Sequence, residues 1–190
     1  MRIISGVAKG RSLSSVTGPT RPTSDRAREG LFSSLLSEFG DFVGLSVLDL
    51  FAGSGAIGLE ALSRGASLVH AVEKDASACK TISKNFELVN SAGPAGKFHL
   101  YSMSALTFAQ SVNATAYDVI FLDPPYDQPM SDVIDLLSKL LAGGFISQSA
   151  VIAVEREAKS EKFLWPQGLS PMRERNYGQA VIYYGTPASV

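Results

Sequence analysis

The chain has 190 residues, which is enough for one domain with a sizeable hydrophobic core and short for two. Hydrophobic residues make up 45% of the sequence and charged residues 18%, a composition that excludes a disordered or fibrous protein. The formal net charge of -1 argues against a surface that binds nucleic acid over its whole area.

The basic residues are concentrated at the N-terminus. Residues 1–31 contain six basic and two acidic side chains, a balance of +4, whereas the other 11 basic and 16 acidic side chains give -5. A basic arm on an acidic body is suited to binding a polyanion.

Cysteine usage and the N-terminus bound the cellular setting. The one cysteine, Cys79, excludes an internal disulfide and a cysteine-rich metal site, and it fits a reducing environment. Residues 1–6 contain no apolar segment of signal-peptide length, and no run approaches the roughly 20 apolar residues of a membrane span. We therefore expect a cytoplasmic protein without membrane segment or metal.

A basic extension precedes the main domain. Residues 2–5 and 9–13 are strand-like pieces around residues 6–8, a pattern that predicts a β-hairpin. A loop rich in Ser, Thr, Gly and Pro follows. We divide the chain into an N-terminal extension, residues 1–24, and a main domain, residues 25–190.

The main domain begins with a helix and then alternates strands with helices. Short polar side chains near Asp25 predict the helix start, and apolar residues at helical spacing carry the helix to Phe39. Repeated strand–helix units predict an α/β fold with a mostly parallel seven-stranded sheet and an antiparallel strand at its C-terminal end. The predicted strands are residues 46–51, 68–73, 98–102, 117–122, 150–155, 169–177 and 180–184.

A glycine turn follows the first strand. Gly53 to Gly58 match G-x-G-x-x-G, a pattern that dinucleotide sites and S-adenosyl-L-methionine sites share. Asp49 distinguishes the two kinds of site. Its carboxylate would repel the pyrophosphate of a dinucleotide but favours the ammonium and the sulfonium of S-adenosyl-L-methionine. Gly53 and Gly55 would let the backbone approach the ligand, and Gly58 would let the helix pack on the strand. The alternative is a tight turn without a ligand.

Further cofactor contacts are expected along the same sheet edge, where ligands of such sheets bind. Glu73 ends the second strand, where an acidic side chain typically binds both ribose hydroxyls; alternatively it is a solvated carboxylate, and Asp75 caps the next helix. Ser104 and Ala105 either contact adenine or begin a helix. The expected cofactor contacts are Asp49, Phe51, Ala52, Gly53, Ser54, Gly55, Glu73, Lys74, Ser104, Ala105 and Asp123.

The fourth strand ends in Asp123-Pro124-Pro125-Tyr126. The amino group of a base must localise its nitrogen lone pair to attack a methyl group, and two acceptors for its N–H groups favour that change. Asp123 supplies a carboxylate, and Pro125 holds the carbonyl of Pro124 in place. Tyr126 offers a face on which an extruded base can stack. We assign catalytic roles to Asp123, Pro124 and Tyr126; the alternative is a proline turn with an incidental tyrosine.

These motifs resemble the amino-group methyltransferases that act on nucleic-acid bases and on glutamine. More narrowly, the chain resembles the bacterial small-subunit ribosomal RNA guanine-N2 methyltransferases from its first residue almost to its last. The matching segments are residues 1–6, 20–23, 25–32, 49–66 and 175–178. Where many such enzymes have an acidic residue at the adenine, this chain has Ser104.

The resemblance implies a Rossmann-like class I methyltransferase fold, S-adenosyl-L-methionine as donor and S-adenosyl-L-homocysteine as product. It also implies methylation of one guanine of 16S rRNA, in an assembled or assembling small subunit. The basic arm would then contact phosphates without distinguishing sequence, although Arg21 and Thr23 alternatively close over the donor. The expected RNA contacts are Arg2, Lys9, Arg11, Arg21, Arg26, Arg28 and Tyr126.

Three alternatives to this function stay open. The same chemistry could act on adenine N6 of DNA or RNA, or on a protein glutamine. A non-catalytic RNA-binding module and a nicotinamide-dependent oxidoreductase are the other two. For the favoured function we expect a monomer.

Overall fold

Strands and helices alternate along the chain after an opening helix, as the sequence predicts. The computed structural model describes residues 1–16, 25–111 and 115–188. The strands in these ranges are β1 Ser46–Leu50, β2 Leu68–Glu73, β3 Lys97–Ser102, β4 Tyr117–Leu122, β5 Ile146–Glu157, β6 Leu169–Tyr177 and β7 Ala180–Pro187. The helices in the same ranges are α1 Asp25–Phe39, α2 Ala56–Ser63, α3 Ala76–Asn90, α4 Ala105–Ala109 and α5 Met130–Ala142.

The strands form one seven-stranded sheet in the order β3-β2-β1-β4-β5-β7-β6. Strands β1 to β5 are parallel, and β7 is antiparallel to both of its neighbours. The predicted α/β sheet is therefore confirmed. Strand β5 begins at Ile146, four residues earlier than expected, because Ile146 pairs with Tyr117 across a register shift that the polar residues 147–149 concealed in the sequence.

Alternate residues of the central strands face opposite sides of the sheet, as the two-residue period of a strand requires. Val47 and Val119 pack in one hydrophobic cluster, which includes side chains of α1 and α2. Leu48 and Ile120 pack in a second cluster, with side chains of α4 and α5. Helices therefore cover both faces of the sheet.

The strand order reverses between β1 and β4, which are parallel neighbours. Asp49 is in register with Phe121, and Leu50 with Leu122. The residues that follow these strands, Phe51 and Asp123, consequently leave the same edge of the sheet. This switch point is where ligands bind in open parallel sheets.

The predicted N-terminal hairpin is present, and Arg2 and Ser12 form an antiparallel bridge in it. It packs on α2, where the buried Glu60 carboxylate accepts hydrogen bonds from Ile4 N at 2.7 Å and Ser5 N at 3.0 Å. Ile3 belongs to the same hydrophobic cluster as the side chains of α2. The boundary expected after residue 24 borders residues 17–24, outside the described ranges.

No helix among the described residues is long and apolar enough to cross a membrane. The same residues include no group of three or more His, Cys, Asp or Glu side chains that could hold a metal ion.

Candidate active site

A cleft of about 990 Å³ lies at the sheet edge where β1, β2 and β4 end. Its volume is in the range of about 300–1,000 Å³ that is typical of small-molecule sites. Among the described residues that line it, seven are acidic, whereas only Arg28 and Lys74 are basic. This excess of negative charge favours a cationic ligand. The acidic residues are Asp49, Glu73, Asp75, Asp123, Asp127, Asp132 and Asp135.

The cleft brings together ten of the eleven residues expected to contact the cofactor, and all three expected catalytic residues. The exception is Gly55, which is buried behind the glycine turn. A Cβ atom at Gly55 would lie 3.2 Å from Ile82 Cγ2, and its φ of 77° favours glycine. Gly55 therefore determines the backbone conformation of the turn without contacting the cleft itself.

The glycine turn presents backbone to the cleft. Gly53 has a φ of 55°, and a Cβ atom there would find no neighbour closer than Phe51 O at 4.0 Å. The open side of Gly53 faces space that a ligand can occupy. Phe51 itself has a φ of 61°, which is strained for a side chain of this size. Such strain is typical of functional sites.

Glu73 is held at the end of β2 by two backbone groups. Its Oε2 atom accepts a hydrogen bond from Gly53 N and its Oε1 atom one from Asp75 N, both at 2.8 Å. A carboxylate can accept about four hydrogen bonds. Glu73 therefore retains capacity for the hydroxyls of a ribose, in a fixed orientation beside the glycine turn.

Asp49 is the penultimate residue of β1 and only 1% exposed. Its Oδ2 atom accepts a hydrogen bond from Gly58 N at 2.9 Å. The pKa of Asp49 is raised to about 7, mainly by burial and to a smaller extent by the charges of Asp123 and Glu73, although the hydrogen bond from Gly58 lowers it. A cation bound in the cleft would offset this unfavourable burial of charge.

Gly58 has the packing role that its spacing predicts. A Cβ atom at this position would lie 2.9 Å from Val69 Cγ1 on β2. Any side chain would therefore push α2 away from the sheet.

The motif Asp123-Pro124-Pro125-Tyr126, here called the acceptor motif, forms a turn directly after β4. A residue of the neighbouring strand β5 holds this turn in place. Gln128 N donates to Pro125 O at 2.9 Å, which closes the turn around Tyr126. Arg156 of β5, buried to 4% exposure, donates from Nη2 to Gln128 O at 2.9 Å. Tyr126 is 41% exposed at the cleft. Sequence reasoning missed Arg156; the available signal was a charged residue at the end of an apolar strand.

Two polar side chains of the cleft cap helices. The Oγ atom of Ser104 accepts a hydrogen bond from Thr107 N at 3.0 Å, so the capping alternative is confirmed for Ser104. Asp75 caps α3 by accepting from Ser77 N and Ala78 N, as expected. Ser104, Ala105 and the exposed Lys74 also line the cleft.

The basic residues of the extension fall into different environments. Arg2, Lys9 and Arg26 are exposed. Arg11 is half-buried and donates from Nη1 to Leu88 O at 2.7 Å and Ser91 Oγ at 2.6 Å, which ties the hairpin to α3. The expected contact Arg21 lies outside the described residues.

Arg28 corrects one expectation of the sequence analysis. It is 0% exposed, so the surface contact with phosphate expected of it is not available. The physical reason is its position on the apolar face of α1, three and four residues before Leu31 and Phe32. Arg28 instead lies in the wall of the cleft.

Comparisons with known proteins agree with this architecture. The family model described as conserved hypothetical protein 95 matches residues 1–186. Ribosomal RNA small subunit methyltransferase D of Escherichia coli (strain K12) is 35% identical over 181 residues, covering 94% of this chain and 86% of that protein. The solved structure of yhhF from Escherichia coli has a TM-score of 0.82 and 32% identity, covering 98% of this chain and 97% of that one.

A more distant likeness concerns the fold alone. Magnesium protoporphyrin IX methyltransferase (ChlM) from Synechocystis PCC 6803, solved with bound SAM, has a TM-score of 0.64 at 16% identity, covering 90% of this chain and 86% of that one. The predicted class I methyltransferase fold is confirmed. The family resemblance is confirmed as well: the chain belongs to the conserved hypothetical protein 95 family, together with Ribosomal RNA small subunit methyltransferase D.

Proposed function

We propose that the protein transfers a methyl group from S-adenosyl-L-methionine to the N2 amino group of one guanine in 16S rRNA of the small ribosomal subunit. The observation that carries the proposal is the position of Asp123. It leaves β4 directly beside the glycine turn after β1, so the acceptor motif and the acidic cleft share one edge of the sheet.

The residues of the cleft fit the proposed donor. When bound, S-adenosyl-L-methionine supplies an electrophilic methyl group on a positively charged sulfur. The Glu73 carboxylate would accept hydrogen bonds from the ribose, and Gly53 would offer open backbone to the ligand. Ser104 and Ala105, at the start of α4, would flank the adenine. The buried Asp49 carboxylate would favour the positive charge.

Asp123 and Pro124 would act on the attacking amino group. The carboxylate of Asp123 and the carbonyl of Pro124 would accept hydrogen bonds from its two N–H groups. These hydrogen bonds favour localisation of the nitrogen lone pair in the transition state. Tyr126 presents an exposed ring on which the base can stack after leaving its helix. The methylated amine is acidic enough to lose its proton to water, so the reaction needs no strong base.

The choice of acceptor is supported by the relative and by the basic arm. The Escherichia coli protein that is 35% identical is a ribosomal RNA small subunit methyltransferase by name. Arg2, Lys9 and Arg26 are exposed on the N-terminal arm and α1, where they could contact phosphates. With this substrate, the protein would act as a cytoplasmic monomer on the small subunit.

Methylation with tritiated donor tests the proposal against its alternatives. The purified protein is incubated with small subunits lacking the modification, free rRNA, DNA and a glutamine-containing protein substrate. Label at a guanine of 16S rRNA is the expected result. Label only in adenine, DNA or protein would contradict the assignment of the acceptor, and binding of NAD instead of the donor would contradict the chemistry.

A further inference from the structure

One buried carboxylate of α2 holds the first strand of the N-terminal hairpin. Glu60 is 0% exposed, and both of its oxygens accept hydrogen bonds from the hairpin backbone, Oε2 from Ile4 N and Oε1 from Ser5 N. Arg64 Nε donates to the same Oε1 atom at 2.7 Å. Three donors therefore compensate the buried charge of Glu60. They hold the carboxylate in one orientation, and the carboxylate holds the hairpin backbone.

The last residue of α2, Ser63, holds the tip of the hairpin. Its Oγ atom accepts a hydrogen bond from Ala8 N at 3.0 Å and donates one to Ser5 O at 2.7 Å. Its carbonyl oxygen accepts a hydrogen bond from Val7 N at 2.8 Å. A Cβ atom at Gly6 would lie 1.8 Å from that carbonyl oxygen, so this close approach requires glycine. These contacts fix the tip of the hairpin on the helix.

Glu60 and Ser63, here called the hairpin socket, belong to the helix that begins at the cleft. Ala56, the first residue of α2, lines the cleft, and positions 56, 60 and 63 have the spacing of one helical face. A second connection comes from Arg28 in the cleft wall, which donates from Nη2 to Arg2 O at 2.7 Å. The hairpin therefore has a defined position relative to the cleft.

The hairpin carries exposed positive charge. Arg2 and Lys9 are exposed, and neither forms an ion pair with any residue that the structure describes. Apolar side chains such as Ile3 already pack the hairpin on the domain. A buried ionic network adds little stability relative to apolar side chains of similar volume, whereas charge-assisted hydrogen bonds fix geometry. The hairpin socket is consequently better suited to placing Arg2 and Lys9 than to increasing stability.

We propose that Glu60 is a positioning residue for the RNA substrate, which acts by holding Arg2 and Lys9 at a set distance from the acceptor motif. The proposal rests on the proposed function, since it takes rRNA phosphates as the partners of the hairpin. Phosphate contacts fix the register of a protein on a nucleic acid. The distance between these contacts and the acceptor motif then limits which guanine can reach the cleft.

A double-mutant cycle with Lys9 separates this role from a general effect on the fold. Glu60→Gln preserves the size of the side chain but leaves one acceptor oxygen for the two hairpin N–H groups. Its affinity for small subunits lacking the modification should fall about tenfold, while its affinity for S-adenosyl-L-homocysteine stays within about twofold of the wild type. Lys9→Ala should weaken subunit binding in the wild type but not in Glu60→Gln, because Lys9 is then already displaced.

Two further variants complete the experiment. Asp118→Asn is the matched control, because Asp118 is a half-buried carboxylate whose hydrogen bonds come from Ser46 N and Ser147 Oγ instead of the hairpin. It should leave the affinity for small subunits unchanged. Ser63→Ala removes the other side chain of the hairpin socket and should show the same pattern to a smaller extent. If Glu60→Gln fails to fold, Ser63→Ala takes its place in the cycle with Lys9→Ala.

Several outcomes would overturn the positioning role. These are additive effects of Lys9→Ala and Glu60→Gln, wild-type subunit affinity in both socket variants, and an equal loss of subunit affinity in Asp118→Asn. Equal losses of subunit and S-adenosyl-L-homocysteine binding would make Glu60 a structural residue. Because the cycle measures binding, a wild type that binds small subunits but methylates no guanine would overturn the proposed function alone. A wild type that does not bind small subunits would overturn both.

Discussion

The Oδ2 atom of Asp49 accepts a hydrogen bond from Gly58 N at 2.9 Å, which ties β1 to the first turn of α2. The glycine turn between the two residues is consequently held at both ends. A Cβ atom at position 58 would lie 3.3 Å from the same oxygen. The contact thus depends on glycine, and it fixes a buried carboxylate where a cationic ligand would bind.

Asp49 should make the stability of the unliganded protein depend on pH. Its pKa is raised from 3.8 to about 7, mainly by burial. Its contribution to stability is therefore fully present below about pH 4 and is lost as pH rises through about 7. Relative to Asp49→Asn, the free energy of unfolding of the wild type should fall by about 2–3 kcal/mol between pH 5 and pH 8. Urea unfolding of both proteins at several pH values measures this difference. Parallel pH profiles for the two proteins would show that Asp49 does not titrate in this range.

Glu73 should contribute to donor affinity through its charge and its fixed orientation. Glu73→Ala removes the acceptor for Gly53 N as well as the expected acceptor for the ribose, so binding of S-adenosyl-L-homocysteine should weaken by about 2–3 kcal/mol. Glu73→Gln keeps one acceptor for Gly53 N, so its affinity for S-adenosyl-L-homocysteine should lie between those of the wild type and Glu73→Ala. Calorimetry measures the three affinities.

Glu87→Ala provides the control for Glu73, because Glu87 is an exposed carboxylate on α3. It should bind S-adenosyl-L-homocysteine as the wild type does. Wild-type affinity in Glu73→Ala would exclude the ribose contact.

Arg156 should affect turnover more than donor binding. It holds Gln128 O, and through it the turn that carries Tyr126, without lining the cleft in the described structure. Arg156→Met should lower kcat for rRNA methylation about 10- to 100-fold, because the turn that carries Tyr126 would hold the target base less precisely. The affinity for S-adenosyl-L-homocysteine should stay the same, which also reports that the fold is intact. Arg156→Lys should recover part of kcat. A loss of donor affinity equal to the loss of kcat would contradict this positioning role.

Lys9 and Arg11 should behave differently although both are basic hairpin residues. Lys9 is exposed, so Lys9→Ala should weaken binding to small subunits and reduce the slope of log affinity against log salt by about 1. Arg11 bonds Leu88 O and Ser91 Oγ, so Arg11→Ala should lower the free energy of unfolding by about 1–3 kcal/mol. Salt-dependent binding and urea unfolding of both variants measure the two effects. An unchanged salt slope in Lys9→Ala would remove this residue from the RNA contacts.

The sequence predicted the sheet and its site because both follow from local patterns. Apolar runs predicted the strands. Because parallel strands end at the same edge of a sheet, the topology alone places Phe51, Glu73 and Asp123, at the ends of β1, β2 and β4, along one edge. The position of Asp49 within the strand also predicted that it would lie near the glycine turn, but its depth and its bond to Gly58 depended on packing.

Contacts between distant segments could not be predicted in this way. Glu60 bonds Ile4 N across 56 residues, and Arg156 bonds Gln128 O across 28. Neither pair has a spacing that the sequence would single out. Arg28 is different, because its place on the apolar stripe of α1 was visible in the helical period. Its positive charge nevertheless led to the prediction of a surface contact with phosphate, whereas the structure buries Arg28 in the cleft wall.

The most direct test of the central claim is the transfer of methyl groups by Asp123→Ala on small subunits from cells that lack the protein, with the modified nucleotide identified by mass spectrometry. Asp132→Ala, which removes another carboxylate from the cleft wall, is the matched control. We expect the wild type and Asp132→Ala to place one methyl group on N2 of a single guanine in 16S rRNA. We expect Asp123→Ala to bind S-adenosyl-L-homocysteine normally but to transfer no methyl group. Full activity of Asp123→Ala, or methylation of any group other than a guanine amino group, would contradict the account.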